Sequence, residues 1–537
     1  MEVGRRAQAG GDAAPPCAGF GVKFRDSREE HLVSDATSQT AAKAAEDSTG
    51  HRFRNWGPRH RDLRDWLERC EEIGELIRLK GVHWDLEIGA VAEMIYHNKP
   101  DNPPAILFEE IPGYPKDFKV LSGAVNSPRR LAMTLGFDDP RSMKDVVLAY
   151  RDRIKDFELI PPKEVEAEVE TAPVLENIDR DDEVDLYKFP VPFFHEEDGG
   201  RYIGTGDLVI MKDRDSDWVN HGTYRVQIHD KNTVGLWMSP GKHGTLIKEK
   251  YFAEGKNCPV LISVGHDPLL HLSSANEVGP GISEFAHAGA NRGRPFEVVR
   301  SELHGLPIPA YGEICLEGEI MLNEKKSEGP FGEWTGYYAS HIREDHVVKV
   351  KRVYYRTNPI LTTARPGRPP SDYSFSKCVV KAAMIWDQVE KAGLPNVQGV
   401  WCMEFGGGRL FNVISIKQAY AGHARQALLL AAGSHGGNYI GRFVVVVDED
   451  IDPGDIWSVM WAISTRCDPA EDIDIIRNCW SGPLDPRKKV GDNFNSRALI
   501  DACKPYDWRH DFPHTAESTP ELKKKTLEKF GYILDQL

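Results

Sequence analysis

Paired cysteines are missing from this sequence. Its nine cysteines stand singly, the nearest two being Cys467 and Cys479, and no CxxC or finger-like spacing occurs. A structural zinc and a redox dithiol are thereby excluded, and the thiols read as reduced and mostly buried. Long apolar runs are also absent. The stretches Phe443–Val447 and Ala427–Ala432 fall far short of the roughly 18 residues a spanning helix needs. Arg5 and Arg6 are followed by no apolar core, so no secretory signal is expected. Basic residues are in deficit, 67 Lys plus Arg against 82 Asp plus Glu, for a net charge of −15. Binding nucleic acid by neutralising phosphates is argued against. A soluble, cytoplasmic protein with no nucleic-acid or membrane partner is the expectation. The first 50 residues carry ten Ala and six Gly but only six Val, Leu and Phe. That is too little to bury, so 1–55 reads as a disordered or loosely ordered extension. Asp26, Glu29 and Glu30 argue against a targeting peptide there.

What is present suits several cores. The chain has 537 residues, 40% apolar and 28% charged, which sets a prior of two to four domains. Leu63, Trp66, Leu67, Cys70 and Ile73 recur at helical spacing, with Gly74 placed to end the helix. Glu75 to Lys80 reads as a strand, Glu87 to Asn98 as a helix, and Ala105 to Phe108 and Phe118 to Leu121 as short strands. This alternation predicts an N-terminal α/β domain over 56–175, closed by a charged, proline-flanked connector at 160–175. Residues 176–360 change to short apolar runs between Gly, Pro and Asp: Asp207 to Lys212, Val234 to Met238, Pro259 to Val264, Glu313 to Met321 and His346 to Tyr355. A β-rich barrel or sandwich follows. Residues 361–376 read as a linker or lid. A C-terminal α/β domain is expected over 377–518, and Pro520 to Leu534 as an amphipathic helix within 519–537, with Thr519 as its N-cap.

The most informative segment is Glu328-Gly329-Pro330-Phe331-Gly332-Glu333. Two glycines and a proline forbid a helix, so the carboxylates are carried by a rigid turn. Two readings stand here. One is an exposed turn with solvated glutamates. The other is a pair of carboxylates whose pKa values are pushed apart, one staying protonated as a general acid. Upstream, Asn220, His243 and Glu284 offer an amide oxygen, an imidazole and a carboxylate. That mixed set suits Mn²⁺ or Mg²⁺ better than zinc, although a His or Asn on a loop is also commonly structural.

Asn220 to Arg225, His243, Ser273-Ser274, Glu284 and above all EGPFGE at 328–333 together resemble the UbiD family of prenylated-FMN-dependent (de)carboxylases. The resemblance spans about 60–530 and includes SVGHDPLL at 263–270 and VVVVDEDIDPGDIWSVMWAISTR at 444–466. It implies a central flavin-reductase-like β-barrel and a C-terminal oligomerisation domain. It assigns Arg225, Glu328 and Glu333 to a catalytic Glu-Arg-Glu network. It places Asn220, His243 and Glu284 on a divalent metal, Mn²⁺ or else Mg²⁺ or Fe²⁺, that ties down the cofactor phosphate. Thr223, Tyr224, Arg225, Lys242, Ser273, Ser274 and Lys417 join these as cofactor-binding residues, with K⁺ near the serine loop.

The implied reaction is reversible decarboxylation of an aromatic or α,β-unsaturated acid, with Glu333 as proton donor. Loss of CO₂ from an sp² carbon needs a cofactor as electron sink. The family further implies a flavin prenyltransferase as cofactor supplier and a homodimer or hexamer. Trp334 and the tyrosines that follow resemble the branch acting on hydroxyaromatic acids. Residues 364–376 read either as a solvated linker or as a moving lid whose Arg365 and Arg368 meet the substrate. Trp480 to Leu484 are expected to complete the site from beyond it. Rival readings are a glycosidase, a metal-dependent hydrolase, and a non-catalytic subunit of a multisubunit carboxylase. The glycosidase leaves the Asn-His-Glu set unexplained, the hydrolase lacks a base for its water, and the intact Arg225, Glu328 and Glu333 speak against a dead subunit.

Overall fold

The computed structural model of the chain describes residues 57–137, 143–155, 158–275, 278–372, 374–489, 491–492 and 494–536. The extension expected over 1–55 lies outside the described residues. The chain divides into two compact units, one holding residues 55–512 and the other the C-terminal segment from Pro513.

The N-terminal layer begins with the helix Leu63–Glu72, which buries Leu63, Trp66, Leu67 and Cys70 on one face. Asp62 caps it by accepting the Asp65 N–H at 3.0 Å, and Gly74 stands past its end at φ +72. The strands Leu76–Lys80, Ala105–Glu109 and Lys119–Ser122 form its sheet, flanked by the helix Glu87–Asn98. The fourth strand comes from far along the chain: Ile360–Thr362 pairs in parallel with Lys119–Leu121.

That pairing corrects the reading of 361–376. Thr363 donates its N–H to Leu121 O at 2.7 Å and Ala364 donates to Thr205 Oγ1 at 3.0 Å. Asp372 is buried and accepts from Tyr96, Ser122 and the Arg365 N–H. Arg365 is itself buried and ion-paired with Glu93 on the helix Glu87–Asn98. Residues 361–367 and 371–372 are buried, while Arg368 is exposed, so the stretch is not a free connector. Its hydrogen bonds tie it to the N-terminal layer, and Arg365 is held there.

The central sheet has nine strands and curls into a half-barrel. Its edge strands Tyr202–Gly204 and Val219–Gly222 do not pair with each other, so the barrel stays open. Its longest strands, Ile314–Glu328 and Arg343–Tyr355, are antiparallel and end in register at Glu328 and Arg343. Val226, Val234, Ile262, Leu316 and Val350 belong to the core that the curl encloses. Two residues of the expected network stand at strand ends: Arg225 opens Arg225–Asp230 and Glu328 closes Ile314–Glu328.

The C-terminal layer is a five-stranded mixed sheet ordered Val397–Cys402, Phe411–Ile416, Phe443–Asp448, Phe494–Ala502 and Ile473–Trp480. The helices Ser374–Lys391, His423–Gly433 and Ile456–Arg466 pack on it. In the second unit, Pro520–Phe530 is helical, with Thr519 Oγ1 accepting the Leu522 N–H at 3.2 Å, and it tightens to 3₁₀ over Gly531–Gln536.

Candidate active site

Arg225 is buried, and four of its N–H groups have named acceptors. Nε and Nη2 form a bidentate pair with Glu328 at 2.7 and 2.6 Å. Nη1 reaches Glu333 Oε1 and Ser340 Oγ, both at 2.6 Å. Ser340 Oγ in turn donates to Glu333 Oε1 at 2.9 Å. The guanidinium lies over the Trp237 ring at 4.7 Å and the Phe331 ring at 5.3 Å. Gly329, at φ +83, makes the bend that separates the glutamates, a conformation a side chain rarely adopts. The solvated-turn reading is overturned: Glu328 is fully buried and Glu333 nearly so.

The two carboxylates differ in role. Glu328 does not line the cavity, and its two oxygens hold Arg225 from behind. Glu333 is on the cavity wall. Burial pushes its carboxyl up to about 7, against the lowering effects of Arg225 and the Ser340 hydrogen bond. Because Oε1 already accepts two hydrogen bonds, the proton belongs on Oε2. A carboxyl titrating near neutrality at a cavity wall is what a general acid requires.

Asn220, His243 and Glu284 are brought together. Asn220 Nδ2 donates to Glu284 Oε1 at 2.6 Å, the His221 N–H donates to Glu284 Oε2 at 2.9 Å, and His243 Nδ1 lies 4.0 Å from Glu284 Oε1. Strand alternation turns Asn220 toward the cavity and His221 into the core, where burial pushes the imidazole down to about 3. Asn220 Oδ1 is buried and has no hydrogen-bond partner among the described residues. Burial also pushes Glu284 up to about 7, a cost that a cation would offset. This set fits a hard divalent cation. Among the described residues no three His, Cys, Asp or Glu side chains form a metal group, which is why the amide matters.

These groups share one cavity of about 480 Å³. Thr223, Tyr224, Lys242, His243 and Ser274 line it, and Thr223 Oγ1 meets Ser274 Oγ at 2.6 Å. Ser273 is buried behind the wall, 3.5 Å from His287 Nδ1. Lys417 requires correction. It is exposed at the far end of the strand Phe411–Ile416 and does not line the cavity. Arg409, near the other end, is on the wall, and six residues of strand separate Phe411 from Lys417 by about 20 Å.

The C-terminal layer contributes Lys377, Arg409, His435, Tyr439, Trp480 and Leu484. Trp480 and Leu484 agree with expectation. Lys377, Arg409, Ser340 and Trp237 had not been singled out. Ser340 ends the YYAS run seven residues past Glu333, and only the bridge between Phe331 and Ser340 reveals its partner. Arg225, Lys242, His243, Lys377 and Arg409 make the wall rich in basic groups, suited to an anionic ligand such as a flavin phosphate or a carboxylate.

Three family profiles match: 3-octaprenyl-4-hydroxybenzoate carboxy-lyase N-terminal domain over residues 67–149, the Rift-related domain over 165–369, and the C-terminal domain over 375–502. The chain is 34% identical over 455 residues to a phenolic acid decarboxylase of Sedimentibacter hydroxybenzoicus, covering 83% of this chain and 92% of that one. It is 32% identical over 427 residues to the pyrrole-2-carboxylic acid decarboxylase of Pseudomonas aeruginosa, covering 76% and 84%. Among solved structures, the UbiD-class enzyme HmfF from Pelotomaculum thermopropionicum in complex with FMN superposes with a TM-score of 0.76 at 28% identity, covering 87% and 100%. An evolved dimeric form of the same enzyme in complex with prFMN gives 0.73 at 28%, covering 88% and 100%.

Proposed function

Because the chain belongs to the UbiD family of carboxy-lyases, we propose that it reversibly and non-oxidatively removes CO₂ from an aromatic or α,β-unsaturated acid. The observation that carries this is the buried Arg225 network with a titrating Glu333 at the cavity wall. Bound in this cavity, prenylated FMN supplies the electron sink that no side chain can provide. Asn220, His243 and Glu284 would hold Mn²⁺, Mg²⁺ or Fe²⁺ beside its phosphate, with Lys242 adding charge and K⁺ lying near Ser274.

The chain's own residues orient the substrate and handle its proton. The remaining Nη2 hydrogen of Arg225 would take an oxygen of the substrate carboxylate and so orient the bond to be broken within the cavity. Glu333 Oε2–H protonates the carbon that CO₂ leaves, and the reverse transfer makes Glu333 the base for carboxylation. Trp237, Phe331 and Trp334 keep water from this carbon. The relatives' names support an aromatic or heteroaromatic substrate.

Assembly through the C-terminal layer, as a homodimer or hexamer, is supported by exposed Trp457, Met460 and Trp461 on the helix Ile456–Arg466. A monomer at micromolar concentration by light scattering would count against it. The decisive experiment supplies prenylated FMN, Mn²⁺ and K⁺ and follows CO₂ and product over phenolic, heteroaromatic and acrylic acids. Turnover of at least one class is expected. No turnover across the panel, or full turnover with unmodified FMN after metal removal, overturns the proposal.

A further inference from the structure

The turn that carries Glu333 is clamped from outside the cavity by residues 193–199. Asp198 is buried, and its Oδ1 accepts the N–H of Gly332, the residue just before Glu333, at 3.0 Å. Its Oδ2 accepts from the His195 backbone N–H at 3.2 Å and lies 3.1 Å from His195 Nδ1. The Tyr338 hydroxyl also hydrogen-bonds to this carboxylate. One residue on, Gly199 donates its N–H to Pro330 O at 2.7 Å. Gln227 then links the two segments, donating to Gly199 O at 2.8 Å and accepting from the Gly329 N–H at 3.1 Å. The approach is so close that a Cβ on Gly199 would lie 2.1 Å from Gly329 O.

The clamp is anchored on its other side. Phe193 exchanges backbone hydrogen bonds with Trp84 and Leu86 of the N-terminal layer at 3.0 and 2.9 Å. Phe194 packs with Tyr202 and Phe331 in a small separate core. Arg225 and Ser340 fix only the tip of the Glu333 side chain. The Glu333 N–H donates forward to Tyr337 O at 3.1 Å and its carbonyl accepts the Gly336 N–H at 2.8 Å, and the residue just before it is held by Asp198.

On the decarboxylase reading above, we propose that Asp198 is a positioning residue of the reaction. Through the Gly332 N–H it holds the 329–332 turn so that Glu333 meets Arg225 and Ser340 with one oxygen and the cavity with the other. Oδ1 is needed as the acceptor for Gly332, and an amide oxygen can replace it there, although the amide nitrogen then faces the His195 N–H, so the replacement is partial.

The test compares Asp198→Ala and Asp198→Asn holoenzymes with wild type. In Asp198→Ala, kcat is expected to fall about 10- to 100-fold with KM within about threefold, since a misplacement near 1 Å can cost that much. Asp198→Asn, which keeps the acceptor for Gly332 but loses the one for His195, should recover part of the loss. Hydrogen exchange of the peptide spanning 329–337 should rise in the alanine variant and rise less in the asparagine one. That readout needs no turnover, so it tests the clamp even if the wild type decarboxylates nothing, an outcome that would sink the functional reading instead. Wild-type kcat or unchanged exchange in a folded Asp198→Ala overturns the proposal, as does equal impairment of both variants. Should Asp198→Ala not fold, His195→Ala loosens the same carboxylate from its part-exposed side. A smaller fall in kcat with KM held is then expected, and no change in kcat overturns the proposal.

Discussion

Two buried arginines in this molecule look alike and do different things. Arg130, in the N-terminal layer, is fully buried. It donates to Glu75 at 2.7 Å, to the carbonyls of Gly123 and Pro103 at 3.1 and 2.7 Å, and to Asn126. Glu75 is satisfied in turn by Ser127 and Asn102, both at 2.9 Å. Arg130 meets one anion, Glu75, which the exposed Arg129 also approaches at 3.6 Å, and its other acceptors are neutral. Arg225 meets two carboxylates, Glu328 and Glu333, with the part-exposed Arg343 3.9 Å from Glu328. Burial of Glu333 outweighs the lowering by Arg225, so this carboxylate, the one on the cavity wall, holds a proton up to about pH 7. A carboxylate bonded through both oxygens makes structure. A buried carboxyl bonded through one oxygen, with the other toward a cavity, makes a proton donor.

The contrast can be broken most directly at Glu333. Glu333→Gln should lower turnover about 10²–10⁴-fold with thermal unfolding no worse than wild type. Retained turnover with normal solvent-deuterium incorporation would move the donor role to another residue. Arg130→Met should do the opposite, lowering stability by about 3–5 kcal/mol in denaturant unfolding while kcat per folded molecule stays unchanged. A catalytic defect without a stability loss would erase the distinction.

The pH dependence sharpens it. Decarboxylation needs Glu333 protonated, so kcat should fall about tenfold per pH unit above roughly 7, a limb absent from any residual activity of Glu333→Gln. The folded carboxyl is raised above its usual 4.5, so its stabilising contribution is complete below that value and lost as pH climbs through about 7. The smallest effect is expected at Ser340→Ala. Its lost hydrogen bond, worth about 1 kcal/mol, should slow turnover roughly fivefold. Since that bond lowers the Glu333 carboxyl, the limb should also move to higher pH. A pH–rate profile of the two enzymes checks both.

Much of this was legible in the sequence where one periodicity ran unbroken. The helix Glu87–Asn98 has the bounds its apolar spacing predicts. The strand Ile314–Glu328 was read only to Met321, because LNEKKSE is polar and half exposed, and its pairing with Arg343–His346 is a tertiary fact. The strand Ile360–Thr362 was hidden by the prolines and arginines after it, although its partner lies in another layer. At the site, the Glu328–Glu333 turn stood out by its glycines and proline, whereas the grouping of Arg225 with it, and of Asn220, His243 and Glu284 with one another, was implied by the family resemblance. Lys417 misled because a motif fixes a residue's place on its strand but not which end of the strand faces the cavity. Lys377 and Arg409 gave no local signal, since only packing brings their layer to the wall.

The late return of the chain to its first sheet sets an order for synthesis. Thr363 pairs with Leu121 across 242 residues, so the edge of Lys119–Ser122 stays open until residue 362 has left the ribosome. At roughly 5–20 residues per second that wait lasts about 12 to 50 s. Throughout it the nascent N-terminal layer presents an apolar, unpaired strand edge, a template for pairing with other chains. An N-terminal fragment ending near residue 160 should therefore aggregate or bind a holdase, however well its helices form. Adding back the 355–372 segment should restore its solubility.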